Sequence, residues 1–161
     1  MPVFVRPTGP QGAEAMGIAP HNLLRSVGFS QDTTLAVAKL IFSGFFDRHP
    51  NLKLIALHGG GVLPYLVGRF EVGDRVEFDH LREMKSKHAN DLCQVCYDSI
   101  THELAPLHRL IEVAGASQVM LGTDWLHHVH EADVAVSRLD ALPAAQPEAV
   151  RCGNAARAFG P

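Results

Sequence analysis

Four polar residues in this sequence each stand at the end of a short apolar run. Arg6 follows Val3-Phe4-Val5, His58 follows Leu52 to Leu57, Asp98 closes Gln94 to Asp98, and Asp124 comes just past Gln118 to Leu121. If those runs are parallel strands, all four residues lie where ligands bind in α/β proteins, beyond the C-terminal strand ends. A carboxylate there can hold a divalent cation, and an imidazole, which titrates near neutrality, can carry protons to and from bound water. His58 together with Asp98 or Asp124 can supply those two ingredients. Asp98 has two open readings: support of a metal shell from behind, or a cap for the turn into Thr101. His127, His128 and His130 crowd the loop after Asp124. They offer replacement ligands or substrate contacts, although a short His-rich loop is also an ordinary solvated turn.

Cys93 and Cys96 form a C-x-x-C. No second Cys or His pair at matching spacing completes a zinc site, and Cys96 falls in an apolar run, so small buried thiols are the expectation.

The elements that must position these groups are legible from periodicity. Val3 to Val5 reads as a strand, followed by a Gly/Pro-rich loop from Thr8 to Pro20. Ser30 is the expected cap of a helix over Thr33 to Asp47, with Val37, Leu40, Ile41 and Phe45 at helical spacing and a stop at His49-Pro50. Leu52 to Leu57 is a strand buried on both faces, and three glycines after His58 turn the chain sharply and leave room for substrate. Leu63 to Glu77 is a helix, and the polar stretch Asp79 to Asp91 an exposed connection or a charged helical surface, with solvated charges. Gln94 to Asp98 is the third strand; Leu104, Leu107, Leu110, Ile111 and Ala114 mark a helix closed by Gly115. Gln118 to Leu121 is the fourth strand, with helical segments over Glu131 to Leu142 and Pro147 to Phe159. Strand and helix alternate throughout, so the fold class is α/β, with a parallel sheet and outer helices in one domain over 1–161. Four strands cannot close a barrel, which needs about 250 residues, so the chain is half a barrel or a small open sheet.

Bulk properties exclude several partners. The 161 residues carry a net charge of -3 and no Lys/Arg-rich run, which argues against nucleic acid and anionic membranes. No apolar stretch approaches the roughly 20 residues of a membrane span, and the N-terminus does not read as a signal peptide, so the expectation is a cytoplasmic protein. Three cysteines, an odd number, fit reduced thiols.

A longer pattern runs through the chain: Leu40-Ile41-Phe42-Ser43-Gly44, Pro50-Asn51-Leu52-Lys53, His58-Gly59-Gly60-Gly61, Pro64, Gly68-Arg69, Tyr97-Asp98-Ser99, Val119 to Trp125, and Gly153-Asn154-Ala155-Ala156-Arg157. In order and spacing it resembles the amidohydrolase-related decarboxylases, the group of aminocarboxymuconate-semialdehyde and γ-resorcylate decarboxylases. The likeness covers only the second half of that family's domain. It implies the C-terminal half of a TIM-type (β/α)8 metal-dependent hydrolase barrel.

The resemblance also implies roles. Asp124 matches a ligand of a divalent metal, usually zinc, and His58 a general base and proton shuttle in non-oxidative loss of carbon dioxide from a carboxylated unsaturated or aromatic acid. Arg69 matches an arginine that reaches a neighbouring subunit's site and binds a substrate carboxylate, as a planar guanidinium suits. Two departures stand out. The family's H-x-H pair on the first barrel strand has no counterpart here, and Arg6 occupies the place of a metal-binding histidine although a guanidinium has no lone pair to give. Three functions follow as alternatives: a metal-dependent decarboxylase, a hydrolase or hydratase of the same superfamily, or an inactive assembly module. Unpaired strand edges predict a homodimer, another homo-oligomer, or docking with a separate N-terminal half barrel.

Overall fold

In a computed structural model that describes residues 1–73, 88–128 and 130–160, the four apolar runs form one sheet. Its strands are β1 (Val3–Val5), β2 (Leu54–Ala56), β3 (Val95–Asp98) and β4 (Val119–Met120), parallel and in sequence order. The register sets Val3 beside Leu54, Leu54 beside Val95, and Tyr97 beside Val119. The strands are shorter than the apolar runs because the turns use the flanking residues: Leu52 donates its N–H to His49 rather than to a neighbouring strand.

Helices return the chain between strands. They are α1 (Phe29–Phe42), α2 (Phe45–Arg48), α3 (Leu63–Gly73), α4 (His88–Asp91), α5 (Leu104–Ala114), α6 (Ala132–Asp140), α7 (Gln146–Glu148) and α8 (Asn154–Phe159). The single helix expected over Thr33 to Asp47 is instead two. Gly44 adopts φ 64, which ends α1 and starts α2 at an angle to it. Ser30 is not a cap but lies inside α1, where its carbonyl accepts the Thr34 hydroxyl at 2.6 Å; the chain is already wound through Leu24–Gly28 before α1 begins. Gly115, at φ 87, closes α5 as expected, its N–H bonding the Ile111 carbonyl. The helix predicted over Leu63 to Glu77 is present to Gly73, and its last residues, like most of Asp79 to Asp91, lie outside the described residues. Asp91 itself is buried, not one of the solvated charges predicted there.

The sheet has two apolar sides, as alternation along a strand demands. Leu54, Ala56, Val95, Tyr97 and Val119 belong to the main core with Val37, Ile41, Leu63, Leu107 and Leu110 of the outer helices. Ile55 and Met120 form a smaller cluster with Ala158 of α8, joined by Cys96 and Ala155. At the edge of that smaller cluster's face, Phe4 stacks on Phe159 with centroids 5.9 Å apart, both rings half exposed. A second apolar side is what the inner wall of a barrel requires, and four strands make half of an eight-stranded one.

The two thiols of the C-x-x-C have different partners. Cys93 directs its thiol to the Val113 carbonyl and Cys96 to Gln118 Oε1, each at 3.4 Å. The expectation of two buried thiols fails for Cys93, which is exposed in the turn before β3. Among the described residues, no helix is long and apolar enough to cross a membrane.

Candidate active site

β2 runs into four consecutive left-handed residues, His58 (φ 56), Gly59 (φ 58), Gly60 (φ 76) and Gly61 (φ 66). Three glycines make that turn affordable, and His58 adopts the same region despite its side chain. At Gly61 the missing Cβ makes room for protein: a side chain there would collide with the Ser30 carbonyl of α1. Thr34 completes this join by accepting the Val62 N–H at 2.9 Å. The space expected there for substrate is taken by α1.

Asp98 fastens the turn from the neighbouring strand. Its Oδ2 accepts the His58 N–H at 3.0 Å, while Oδ1 accepts Gly59 N–H at 2.8 Å and Ile100 N–H at 3.1 Å. Burial pushes the Asp98 carboxyl up to about 6; the three N–H donors pull against it, and the Asp124 charge adds to it. The carboxylate therefore faces backbone, capping two turns at once, and does not line the cleft described next.

His58 and Asp124 open into one cleft of about 1140 Å³ beyond the strand ends, together with Arg6, His102, His127 and Glu131. Burial holds the His58 imidazole below its usual range. The Asp124 carboxylate works against that, while His102, His127 and Arg6 reinforce it. His127 Nδ1 lies 3.7 Å from Asp124 Oδ2, and the His127 N–H bonds the Asp124 carbonyl at 2.9 Å, so a tight turn brings the two together. The Nδ1 atoms of His58 and His127 are buried with no hydrogen-bond partner among the described residues. His130 also lines the cleft, its Nδ1 donating to the His127 carbonyl at 2.7 Å.

Two candidates stand apart. His128 is exposed and does not line the cleft, and Arg69 lies on the exposed face of α3, also away from it. Sequence reasoning missed His102 and Glu131. His102 sits four residues past β3, so the strand-end placement that marks His58 and Asp124 in the sequence marks it too.

The expected divalent cation does not fit this chain's residues by themselves. Among the described residues no group of three His, Cys, Asp or Glu converges, whereas a catalytic zinc usually takes three protein ligands. Arg6, in the cleft, cannot ligate.

A parallel arc of βα units with an imidazole and a carboxylate at its C-terminal mouth defines half of a hydrolase-type (β/α)8 barrel. The chain belongs to the amidohydrolase family, whose sequence profile matches residues 2–160. It is 33% identical over 124 residues to 2-amino-3-carboxymuconate-6-semialdehyde decarboxylase of Dictyostelium discoideum, covering 76% of this chain and 34% of that protein. Its fold matches 5-carboxyvanillate decarboxylase of Sphingomonas paucimobilis with a TM-score of 0.85 at 25% identity, over 99% of this chain and 49% of the other. It also matches a dihydroxybenzoic acid decarboxylase of Polaromonas sp. JS666, crystallised with manganese and the inhibitor 2-nitroresorcinol, at TM-score 0.84 and 25% identity, over 99% and 49%. The chain thus spans a third to a half of the length of these relatives, and corresponds to the C-terminal half of the family's barrel.

Proposed function

We propose that this chain is half of the catalytic barrel of a non-oxidative decarboxylase, a carbon-carbon lyase for a carboxylated aromatic or unsaturated acid. The observation that carries the reading is the opening of His58 and Asp124 into one cleft at the strand ends. His58 moves the proton. Burial makes its imidazolium a stronger acid, which protonates the carbon bearing the carboxylate; the bond to that carboxylate then breaks, carbon dioxide leaves, and the electron pair of the bond remains with the product. Solvent restores the proton to His58. Asp124 supplies one ligand for a divalent cation, zinc by the motif resemblance. The cation's other ligands have to come from a second barrel half.

Arg69 acts on a neighbouring subunit's substrate in this reading, which its exposure and its distance from its own cleft support. Self-association or docking of a half barrel is supported by β1 and β4, each with one neighbour in the sheet. Free thiols at Cys93, Cys96 and Cys152 support a cytoplasmic setting.

The test is to assemble the chain with the first barrel half of a related decarboxylase, add manganese or zinc, and follow carbon dioxide release from 2,6-dihydroxybenzoate and from a muconate-type acid. Release is expected, with His58→Ala and Asp124→Ala each lowering it at least about 100-fold. Release unaffected by His58→Ala, or hydrolysis in its place, overturns the reading. A second reading, an inactive assembly half, is favoured by Arg6 and by the lack of three converging ligands among the described residues. A stable complex that releases no carbon dioxide from either acid supports it.

A further inference from the structure

Arg6 lines the cleft but takes no part in the proton transfer proposed for His58. Its backbone is fixed from both sides. The Val5 carbonyl before it accepts the Leu57 N–H at 3.3 Å, Pro7 after it is buried, and the Thr8 and Gly9 N–H groups both donate to Asp32 Oδ2 of α1 at 3.0 Å. The exposed side chain therefore starts from a set point at the end of β1, beside His58 and Asp124.

The other charged groups of the cleft have partners. Glu131 Oε2 accepts Arg138 Nη2 at 3.0 Å and lies 3.1 Å from His102 Nδ1, Asp124 Oδ2 lies 3.7 Å from His127 Nδ1, and Arg25 Nη1 donates to Asn22 Oδ1 at 3.2 Å. Arg6 has no hydrogen bond or ion pair among the described residues, so the donors of its guanidinium are open to a ligand. Burial holds the His58 imidazole below its usual range, and the Arg6 charge is one of the groups that add to this, so its field reaches the proton carrier.

The chemistry of the group decides what it can take. A divalent ion needs lone pairs from the protein; no three ligands converge among the described residues, and a guanidinium has none to give. A guanidinium is itself a permanent cation, and its planar fork matches the two oxygens of a carboxylate. Phe29, Trp125 and Leu126 line the same cleft, the last two exposed, and offer an apolar wall for the body of an organic acid.

We propose that Arg6 is the carboxylate-binding residue of this cleft and supplies its fixed positive charge, so that the chain binds an aromatic carboxylate without a divalent cation. This rests on the decarboxylase reading for the use of the cleft, and adds that the protein itself holds the substrate's charge.

The test uses the chain freed of divalent metal by a resin-bound chelator. Trp125 is its single tryptophan and lines the cleft, so its fluorescence reads occupancy. Benzoate and benzamide share a ring and differ in charge. Benzoate is expected to bind about tenfold more tightly, the size of one charge-assisted contact at an open site, and added zinc or manganese to change its affinity by less than about twofold. Arg6→Ala removes the preference and leaves benzamide affinity unchanged, which shows that the cleft is intact; Arg25→Ala keeps the preference. The proposal is overturned if neither compound changes the fluorescence, if the two bind alike, if the preference survives Arg6→Ala, or if benzoate binds only once a cation is added. No readout depends on carbon dioxide release, so failure of the decarboxylase reading registers separately.

Discussion

The two ends of the sheet are built in opposite ways. Where the strands begin, polar groups are matched. Asn154, buried, donates Nδ2 to the carbonyls of Ala116 and Val119 at 2.8 and 2.7 Å. Lys53 Nζ takes the Arg157 and Ala158 carbonyls near the end of α8, and Arg157 reaches the Ser117 carbonyl. Where the strands finish, the Nδ1 atoms of His58 and His127 are buried without hydrogen-bond partners among the described residues, and His58, His102, Asp124 and Leu126 all have left-handed backbone. One end is optimised for holding the sheet together. The other keeps strain and unmatched atoms, as a site that must accept a ligand does.

The largest test of that contrast is Asn154→Ala. It removes two hydrogen bonds, takes this donor from the buried Val119 carbonyl and leaves a void where the amide was, while the Ala116 carbonyl keeps the Val119 N–H; a loss of about 3 kcal/mol in denaturant unfolding is expected, with no change in ligand affinity at the far end. A loss under about 1 kcal/mol would remove the distinction between the ends.

Next in size is Asp98, whose hydrogen bonds at the cleft end are made to the backbone N–H groups of His58, Gly59 and Ile100. Its carboxyl is raised to about 6 in the folded chain from an ordinary value near 4. The unfolded chain therefore releases this proton first as pH rises. The stabilisation is complete below about pH 4 and is lost as pH rises through about 6, by up to about 3 kcal/mol. Unfolding curves between pH 4 and 7 should show this slope, and Asp98→Asn should flatten it. The Gly59 amide signal should titrate with a midpoint near 6.

The smallest effect on stability is expected at His58, the proposed catalytic position. His58→Gly relieves a left-handed backbone and removes an unpartnered ring nitrogen, so stability should hold or rise by about 1 kcal/mol while function is lost. A marked loss of stability would show that His58 belongs to the scaffold after all.

How far the sequence reached depends on which interaction decides each feature. The strands were legible because Leu54, Ile55 and Ala56 are apolar on both faces, and parallel burial writes itself as a continuous run. Gly115 marked the end of α5 because the left-handed position after a helix favours glycine. Gly44 carried the same signal at the end of α1, yet the apolar spacing across Val37 to Phe45 outweighed it, and one helix was read where two exist. Asp98 could be placed at a strand end, but not assigned to the amides of His58 and Gly59 some 40 residues away, because nothing in local spacing records that meeting. Arg69 and His128 show the reverse limit, since a motif position carries residue type without the direction in which the side chain leaves the helix or loop.

By itself the sequence determined the order of strands and helices, the parallel sheet, and the appearance of His58 and Asp124 at strand ends. Those follow from local hydrophobic period and from glycine placement. Only the tertiary structure decided that the two share a cleft, that Asp98 ties down the turn beneath His58, that His102 leans on Glu131, and that no three ligands converge among the described residues. Each of these is a contact between segments distant in the chain, created by the twist and packing of the sheet, and such contacts leave no period for a single sequence to display.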